Sequence, residues 1–263
     1  SVSSDAMTCA PSGDGGIVIA GEGHFALKFD SSGNIAWKRN YGGGAINCYD
    51  IINTTDGGFL ACGEILNFTD NLFHYDGYVM KLDFNGNLIW DTIYPTTDLK
   101  ILNSVVEESD GYVITGLSTN FATDTAKCLI LKIDFSGGVI WEKNYKILNN
   151  AASGKIINKI SNGFLIGGNT ADSTLTFNNI YIMRLDNSGE QYFIKRIASN
   201  VTEGLYDIKP INNNRYAITI YRDIAKNILI DSTGNIIAQK LYQTQYYTIF
   251  QSILSLNNGD LLF

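Results

Sequence analysis

The sequence is short of the residues from which reactive centres are built. Its 263 residues include two histidines, His24 and His74, and four cysteines, Cys9, Cys48, Cys62 and Cys128, with no C-x-x-C spacing. No usual zinc-ligand pattern is present, so neither a metal nor a cofactor is expected. Cys9, Cys62 and Cys128 stand in apolar, strand-like contexts, where a thiol behaves as a small buried hydrophobe; a disulfide or a reactive thiol is the alternative. Cys48 and Cys62 flank one hairpin. A turn centred near Asp56 and Gly57 sets Cys62 opposite a residue nearer Ile51, which argues against a direct bridge.

Positive charge is scarce too: 19 Lys and Arg stand against 26 Asp and Glu, a net charge of −7. Such a chain repels phosphate backbones and offers no basic stripe, so nucleic-acid and anionic-membrane partners are not expected. Long apolar runs are missing. The longest, such as residues 78–82 and 228–230, fall far below the roughly 20 residues that span a bilayer as a helix, so a soluble chain without direct membrane insertion is expected. The start at Ser1 shows no charged region followed by an apolar core, and any secretion signal is expected to have been removed or to lie outside this sequence. Helical periodicity is nowhere sustained, and three prolines with 26 glycines suit short strands and turns.

What the chain has instead is a motif in five copies. They are Lys28-Phe-Asp30-Ser-Ser-Gly33-Asn-Ile-Ala-Trp37, Lys81-Leu-Asp83-Phe-Asn-Gly86-Asn-Leu-Ile-Trp90, Lys132-Ile-Asp134-Phe-Ser-Gly137-Gly-Val-Ile-Trp141, Arg184-Leu-Asp186-Asn-Ser-Gly189-Glu-Gln-Tyr-Phe193 and Leu229-Ile-Asp231-Ser-Thr-Gly234-Asn-Ile-Ile-Ala238. Successive aspartates lie 53, 51, 52 and 45 residues apart. A period of roughly 40 to 50 residues made of short strands is the mark of propeller blades. Stacked repeats form one continuous structure, so a single domain over 1–263 is expected.

A second motif precedes the first in each repeat: Asp14-Gly-Gly16, Asp56-Gly-Gly58, Ser109-Asp-Gly111 and Ser161-Asn-Gly163, each followed by an apolar run, with degenerate copies at Asn213 and Asn257. Asp or Asn followed by Gly supplies the positive φ that two-residue hairpins require. In the first motif, Asp at the first position and Gly at the fourth suit a type I turn with a glycine bulge. Two hairpins make four strands per period; in repeat 2 these are expected over residues 46–54, 58–64, 77–83 and 87–94. The fold class is therefore an all-β propeller of four-stranded antiparallel blades. Five complete blades (about 1–45, 46–99, 100–151, 152–202 and 203–246) precede a partial sixth (247–263). A β-sandwich is the alternative, but it leaves the regular period unexplained.

Trp37, Trp90, Trp141, Phe193 and Ala238 recur seven residues after each aspartate, and Tyr41, Tyr94, Tyr145, Ile197 and Tyr242 four residues later. Regular recurrence favours a wedge buried between blades over a sugar-stacking platform. Asp30, Asp83, Asp134, Asp186 and Asp231 are expected to be structural. Lys81 and Asp83, two apart on a strand, share a face, and a local ion pair with turn capping is their expected role.

These copies resemble the repeat propellers of secreted and surface-attached bacterial proteins, over nearly the whole chain. The resemblance implies an extracellular, cell-surface or outer-membrane-associated location and a protein or glycan partner, with the domain possibly set in a larger chain or complex. A weaker resemblance is to the tryptophan-docking motif of quinoprotein dehydrogenases, although the turn is one residue shorter and lacks the Thr of that motif. The sialidase Asp-box needs Ser-x-Asp-x-Gly-x-Thr-Trp, which no copy satisfies.

In such a blade both tight turns share one end and the variable connections share the other, where recognition is normally built. From the strand-ending position to the Lys/Arg position the connections measure 7, 18, 16, 16 and 9 residues. The three long ones (64–77, 117–127 and 169–179) carry Glu64, Phe68, Asp70, Phe73, His74, Tyr75 and Asp76, then Phe121 and Asp124, then Asp172 and Phe177. Aromatics interleaved with polar residues suit sugar or protein recognition; the alternative is that the rings tuck down to anchor the loops. Glu22 and Glu64 occupy equivalent strand ends, where solvation explains them better than a carboxylate pair for glycoside hydrolysis. No catalytic constellation is visible, and a non-catalytic binding or assembly module is expected, with a propeller enzyme of quinoprotein or glycoside-hydrolase type as the alternative.

Overall fold

In a computed structural model the described residues are 5–42, 45–69, 72–120, 125–147, 150–171, 178–197, 204–211, 215–221, 225–242, 253–255 and 261–262. The chain divides into two compact units, Ser1–Asn144 and Tyr145–Phe263. In the first, repeat 1 holds β1 (Ala6–Pro11), β2 (Ile17–Gly21), β3 (Phe25–Phe29) and β4 (Ile35–Asn40). Repeat 2 holds β5 (Ile46–Asn53), β6 (Phe59–Thr69), β7 (Leu72–Leu82) and β8 (Leu88–Tyr94). Repeat 3 holds β9 (Leu99–Glu108), β10 (Gly111–Asn120), β11 (Thr125–Ile133) and β12 (Val139–Tyr145).

The second unit holds repeat 4, made of β13 (Ala152–Ile160), β14 (Gly163–Ala171), β15 (Asn178–Leu185) and β16 (Gln191–Ile197). Repeat 5 follows with β17 (Gly204–Ile211), β18 (Arg215–Tyr221), β19 (Ala225–Ile230) and β20 (Ile236–Tyr242), then a short pair, β21 (Leu254–Ser255) and β22 (Leu261–Leu262). Every repeat is an antiparallel meander in sequence order, and a single parallel bridge between Tyr75 and Leu99 joins repeats 2 and 3. Strands therefore run where period-2 apolar patterning and the two turn motifs place them.

The core lies between consecutive meanders, as expected when both faces of a sheet are apolar. Val18 and Ala26 of repeat 1 pack with Ile51, Phe59 and Met80 of repeat 2. Leu60 and Val79 pack with Leu102, Ile114 and Leu129 of repeat 3, and in the second unit Leu165 and Ile182 pack with Ile208 and Ile218. Cys48, Cys62 and Cys128 are buried thiols outside any disulfide, and burial pushes Cys48 up to about 12. Cys9 departs from expectation: on β1 it is exposed, its side chain alternating with the buried Ala10. Cys62 pairs with Asp50 and Cys48 with Gly63, so no bridge joins them across the hairpin.

The first motif closes as expected, the N–H of Gly33, Gly86, Gly137, Gly189 and Gly234 bonding the aspartate carbonyl three residues back with the glycine at positive φ; the second works differently from its expected backbone chemistry. The Asp14 and Asp56 turns close as Gly15 N–H to Ser12 O and Gly57 N–H to Thr54 O, with Gly15 and Gly57 near φ +82° and +83°. Among the described non-glycine residues only His24 has positive φ, so the turn aspartates do not supply it. Their carboxylates hold lysines instead. Lys28 Nζ lies 2.6 Å from Asp14, Lys81 Nζ 2.9 Å from Asp56 and Lys132 Nζ 2.8 Å from Asp110. Each lysine is buried and reaches from the third strand to the turn between the first two. Lys81 thus pairs with Asp56 rather than with Asp83, while Asp83 caps its own turn by accepting N–H bonds from Asn85 and Asn87, both at 2.8 Å.

The aromatic wedge is shallower than expected and more specific. Trp37 Nε1 donates to Phe84 O at 3.1 Å, Tyr41 OH to Gly86 O at 3.0 Å, Trp90 Nε1 to Phe135 O at 3.1 Å and Tyr94 OH to Gly137 O at 2.8 Å. The indoles are half-buried, lying on the aspartate turn of the next repeat, whereas Tyr94 and Ile197 are buried. Gly86, at φ +74°, must stay bare, because a Cβ there would meet the Trp37 ring at 2.8 Å. Trp141 is half-buried, with Lys143 Nζ 5.7 Å over its ring.

Two stability predictions follow from these contacts. Asp56→Ala strands a buried ammonium and lowers unfolding free energy by about 2 kcal/mol, whereas Lys81→Met removes the charge and costs less, about 1 kcal/mol or below. Urea unfolding of both variants measures the difference, and an equal loss in each would contradict it. Trp90→Ala costs about 2–3 kcal/mol, below the figure for a fully buried ring, and Gly137→Ala costs more than 1 kcal/mol through φ strain and contact with Trp90. Thermal melts of these two variants give the check.

Candidate functional site

The connection over 64–77, expected as a loop, is mostly ladder. β6 and β7 continue past the sheet in unbroken register, Glu64 opposite Gly77, Leu66 opposite Tyr75, Asn67 opposite His74 and Phe68 opposite Phe73. The connection in repeat 3 extends similarly, with Asn120 opposite Thr125. Cross-strand pairing gives the hairpin its own support, which sequence patterning had left to the loop.

At its end Phe68 is 55% and Phe73 69% exposed, their ring centroids 4.8 Å apart. These rings do not tuck under the hairpin. His74 and Tyr75 are half-buried. Below the pair, Asp76 is buried and accepts from Thr96 N at 2.8 Å and from Asn67 Nδ2 at 3.0 Å, with His74 Nε2 at 3.7 Å. That carboxylate fastens the base of the hairpin to the crossover into repeat 3. Phe121, Asp124, Asp172, Phe177 and Asp70 lie outside the described residues.

Glu64 departs from the solvated role expected of it. It is buried, its Oε1 accepting from Tyr49 OH at 2.7 Å and from Asn47 Nδ2 at 3.3 Å, while Oε2 has no partner. Glu22 is exposed, so the two equivalent positions differ in burial. A third network was not legible in the motifs: Tyr78 OH donates to Asp91 at 2.9 Å and lies 2.8 Å from His24 Nε2. Burial holds the His24 imidazole below its ordinary range, against the pull of Asp91. His24 is 4% exposed, which keeps substrates from it and makes the chain of hydrogen bonds a fastening between repeats 1 and 2. Among the described residues no group of three His, Cys, Asp or Glu side chains could hold a metal ion. The chemistry on offer at the hairpin end is aromatic contact with polar flanks.

Neither a family model nor a curated protein sequence matches the chain. Solved structures do. A protein of unknown function from Bacteroides caccae has a TM-score of 0.58 at 13% identity, over 95% of this chain and 86% of that one. The RRP9 WD40 repeats have a TM-score of 0.63 at 10% identity, over 97% and 71%. An apocarotenoid oxygenase from Synechocystis has 0.55 at 11%, over 92% and 62%. At these identities the likeness shows the fold, a propeller fold of antiparallel four-stranded sheets, and the fold serves binding proteins and enzymes alike.

The capping carboxylates carry a pH signature. Asp56 is held at about 2, where the hydrogen bonds of Thr54, Lys81 and Gly58 outweigh the opposing effect of burial. Asp231 is also lowered to about 2, first by the Thr233 hydroxyl and then by the Asn235 N–H. Asp30, Asp83 and Asp134 shift the same way. Folded values below the unfolded value of about 3.9 mean that unfolding takes up protons in that window. Their stabilisation is complete above about pH 4 and is lost as pH falls toward about 2. Denaturant midpoints are expected to drop across that interval, and by less in Asp56→Asn; a midpoint that stays constant would contradict the assignment.

Proposed function

We propose that the protein is a non-catalytic binding or assembly module that works outside a bacterial cell and grips a protein or glycan partner at the end of the sheets bearing the long connections. The observation that carries this reading is the exposed Phe68–Phe73 pair, held on a fully registered hairpin. Two large rings left in water on a braced support are a contact surface, because aromatic anchors concentrate binding energy at interfaces. The net charge of −7 favours a neutral or cationic partner over a polyanion. Five complete blades and a partial sixth in one continuous domain belong to the same proposal, supported by the five meanders and by the repeat spacing.

The opposite end supports this division of labour. Its turns are consumed by tryptophan docking and by lysine clasps, which leaves little adaptable surface there. A Phe68→Ser/Phe73→Ser variant is expected to melt like wild type, since both rings are exposed, and to lose at least about tenfold in affinity for any ligand identified by glycan array or by crosslinking and mass spectrometry. Full retention of binding, or a complex seated on the Asp83 and Asp134 turns, would overturn the proposal.

A further inference from the structure

The third strand of each of repeats 1 to 4 presents a cation to the turn between the first two strands, and in repeats 1 to 3 that cation is paired within its own repeat. Lys28, Lys81 and Lys132 stand opposite Val18, Leu60 and Val113 and are held by the carboxylates of Asp14, Asp56 and Asp110. Arg184 stands opposite Leu165 in the same register, but its turn carries Asn162. Among the described residues no carboxylate pairs with it, and its Nε is buried without a hydrogen-bond partner. The guanidinium is half-buried, its carbon 5.1 Å from the centre of the exposed Tyr192 ring. Repeat 4 thus carries the cation without the anion that fastens it elsewhere.

The surroundings of the cation change with it. Between repeats 2 and 3 a cavity of about 240 Å³ is lined by Thr55, Asp56, Lys81, Glu107, Tyr112 and Phe135, so two carboxylates and an aromatic ring enclose one ammonium. The matching positions in repeats 4 and 5 are Ser161, Asn162, Arg184, Pro210, Tyr216 and Ser232. Both carboxylates are gone. So is the ring that lies over Lys28 as Phe84, its centroid 3.8 Å away, for Ser232 is a half-buried serine. Phe193, directly opposite Arg184, rests on the Gly234 turn, where a Cβ would meet its ring at 3.0 Å, and this sets Arg184 beside that turn. Tyr216 lies near enough for the Arg184 charge to oppose the rise that burial gives its hydroxyl pKa. Asp186 and Asp231 stand by as Asp83 and Asp134 do beside Lys81, each accepting N–H bonds within its own turn.

We infer that the turn end of repeats 4 and 5 binds one oxyanion, the carboxylate or phosphate group of a small ligand, on the fork of Arg184. The three sibling positions show the chemistry that this place in the blade takes, since each lysine there is closed by a single carboxylate at 2.6 to 2.9 Å. A guanidinium offers five donors in a plane that matches two oxygens of a carboxylate or phosphate, and the Asn162 amide with the Tyr216 and Ser232 hydroxyls can donate from the sides. The charge of the two units points the same way. Residues 1–144 carry 8 Lys and Arg against 18 Asp and Glu, whereas residues 145–263 carry 11 against 8, so an anion is drawn to the second unit and repelled by the first. With Asp186 and Asp231 flanking it, the position takes one anionic group rather than a polyanion. The site lies in the second unit, apart from the Phe68–Phe73 hairpin, and the inference stands without that reading.

The probes are sodium acetate and sodium phosphate, titrated into the full chain at neutral pH with ionic strength held constant by sodium chloride. Nitrogen-15 spectra of the arginine Nε–H groups read the site, the Arg184 signal being the one that Arg184→Gln removes. That signal is expected to shift saturably with a Kd of about 1–20 mM, while the other arginines stay still. The anion with the lower Kd identifies the natural group as a carboxylate or a phosphate. Asn162→Asp, at an exposed position, restores the turn carboxylate of repeats 1 to 3; it is expected to raise the melting midpoint and to weaken the anion at least about tenfold. Arg184→Gln is expected to melt no lower than wild type, because no ion pair is lost. No saturable shift up to about 100 mM of either anion, equal shifts at the other arginines, or wild-type affinity in Asn162→Asp would each overturn the inference.

Discussion

One contact organises the rest of the molecule: the outermost strand of a repeat lays an aromatic side chain on the aspartate turn of the next. Trp37 and Trp90 do this with an indole N–H aimed at a turn carbonyl, and Tyr41 and Tyr94 fasten the same turn at its glycine carbonyl. The turn must therefore be rigid, which the aspartate cap ensures, and bare, which Gly86 and Gly137 ensure. Each member of the motif answers to the same contact. A meander whose faces are both apolar gains stability only when a neighbour is seated, so adjacent repeats stabilise one another much as the links of a repeat array do. Ordering this contact spans some 45 residues of chain, and it brings with it the burial of Phe59 and Met80 on one side and of Leu102 and Leu129 on the other.

The lysine clasp operates within a repeat and shows how the copies have diverged. Lys28, Lys81 and Lys132 accompany the turn aspartates Asp14, Asp56 and Asp110. Where the turn carries Asn162, the lysine position holds Arg184, and in repeat 5 it holds Leu229. A buried ammonium without its carboxylate is costly, so the two positions change together. Repeats 1 to 3 therefore rely on ionic fastening at their turns, whereas repeats 4 and 5 rely more on the Ile-rich packing of Ile182, Ile208, Ile218 and Ile228.

Much of this was legible in the sequence because period-2 strands and turn chemistry are local. Five meanders stand where the two motifs predicted them, and β8 ends at Tyr94 as expected. What the sequence hid depends on partners far along the chain. Lys81 was read with its near neighbour Asp83, whereas its partner is Asp56 across two strands; the matched loss of Lys and Asp in the later repeats was the available signal. Residues 64–77 read as a loop because exposed hairpin arms lose the one-sided apolar alternation that marks a strand. Glu64 read as solvated because its burial follows from Tyr49 and Asn47 on β5, which no spacing rule connects to it. The exposure of Phe68 and Phe73 and the contact between their rings are set by the register of β6 on β7, which no local pattern shows.

The repeat logic also separates the two ends of the sheets. Bringing both tight turns to one end satisfies the docking tryptophans and the lysine clasps there, and a substitution at that end disturbs two repeats at once. Among the described residues, connections at the other end are coupled to their neighbours through fastenings such as Asp76 with Thr96 and the Tyr75–Leu99 bridge. Length and composition can vary there at little cost to packing, which is why the β2–β3 connection is a tight turn through His24 while β6 and β7 extend into a long hairpin. Recognition is cheapest to build where structure asks least of the sequence. The exposed aromatic pair stands at that end because the other end is already occupied by the protein's own contacts.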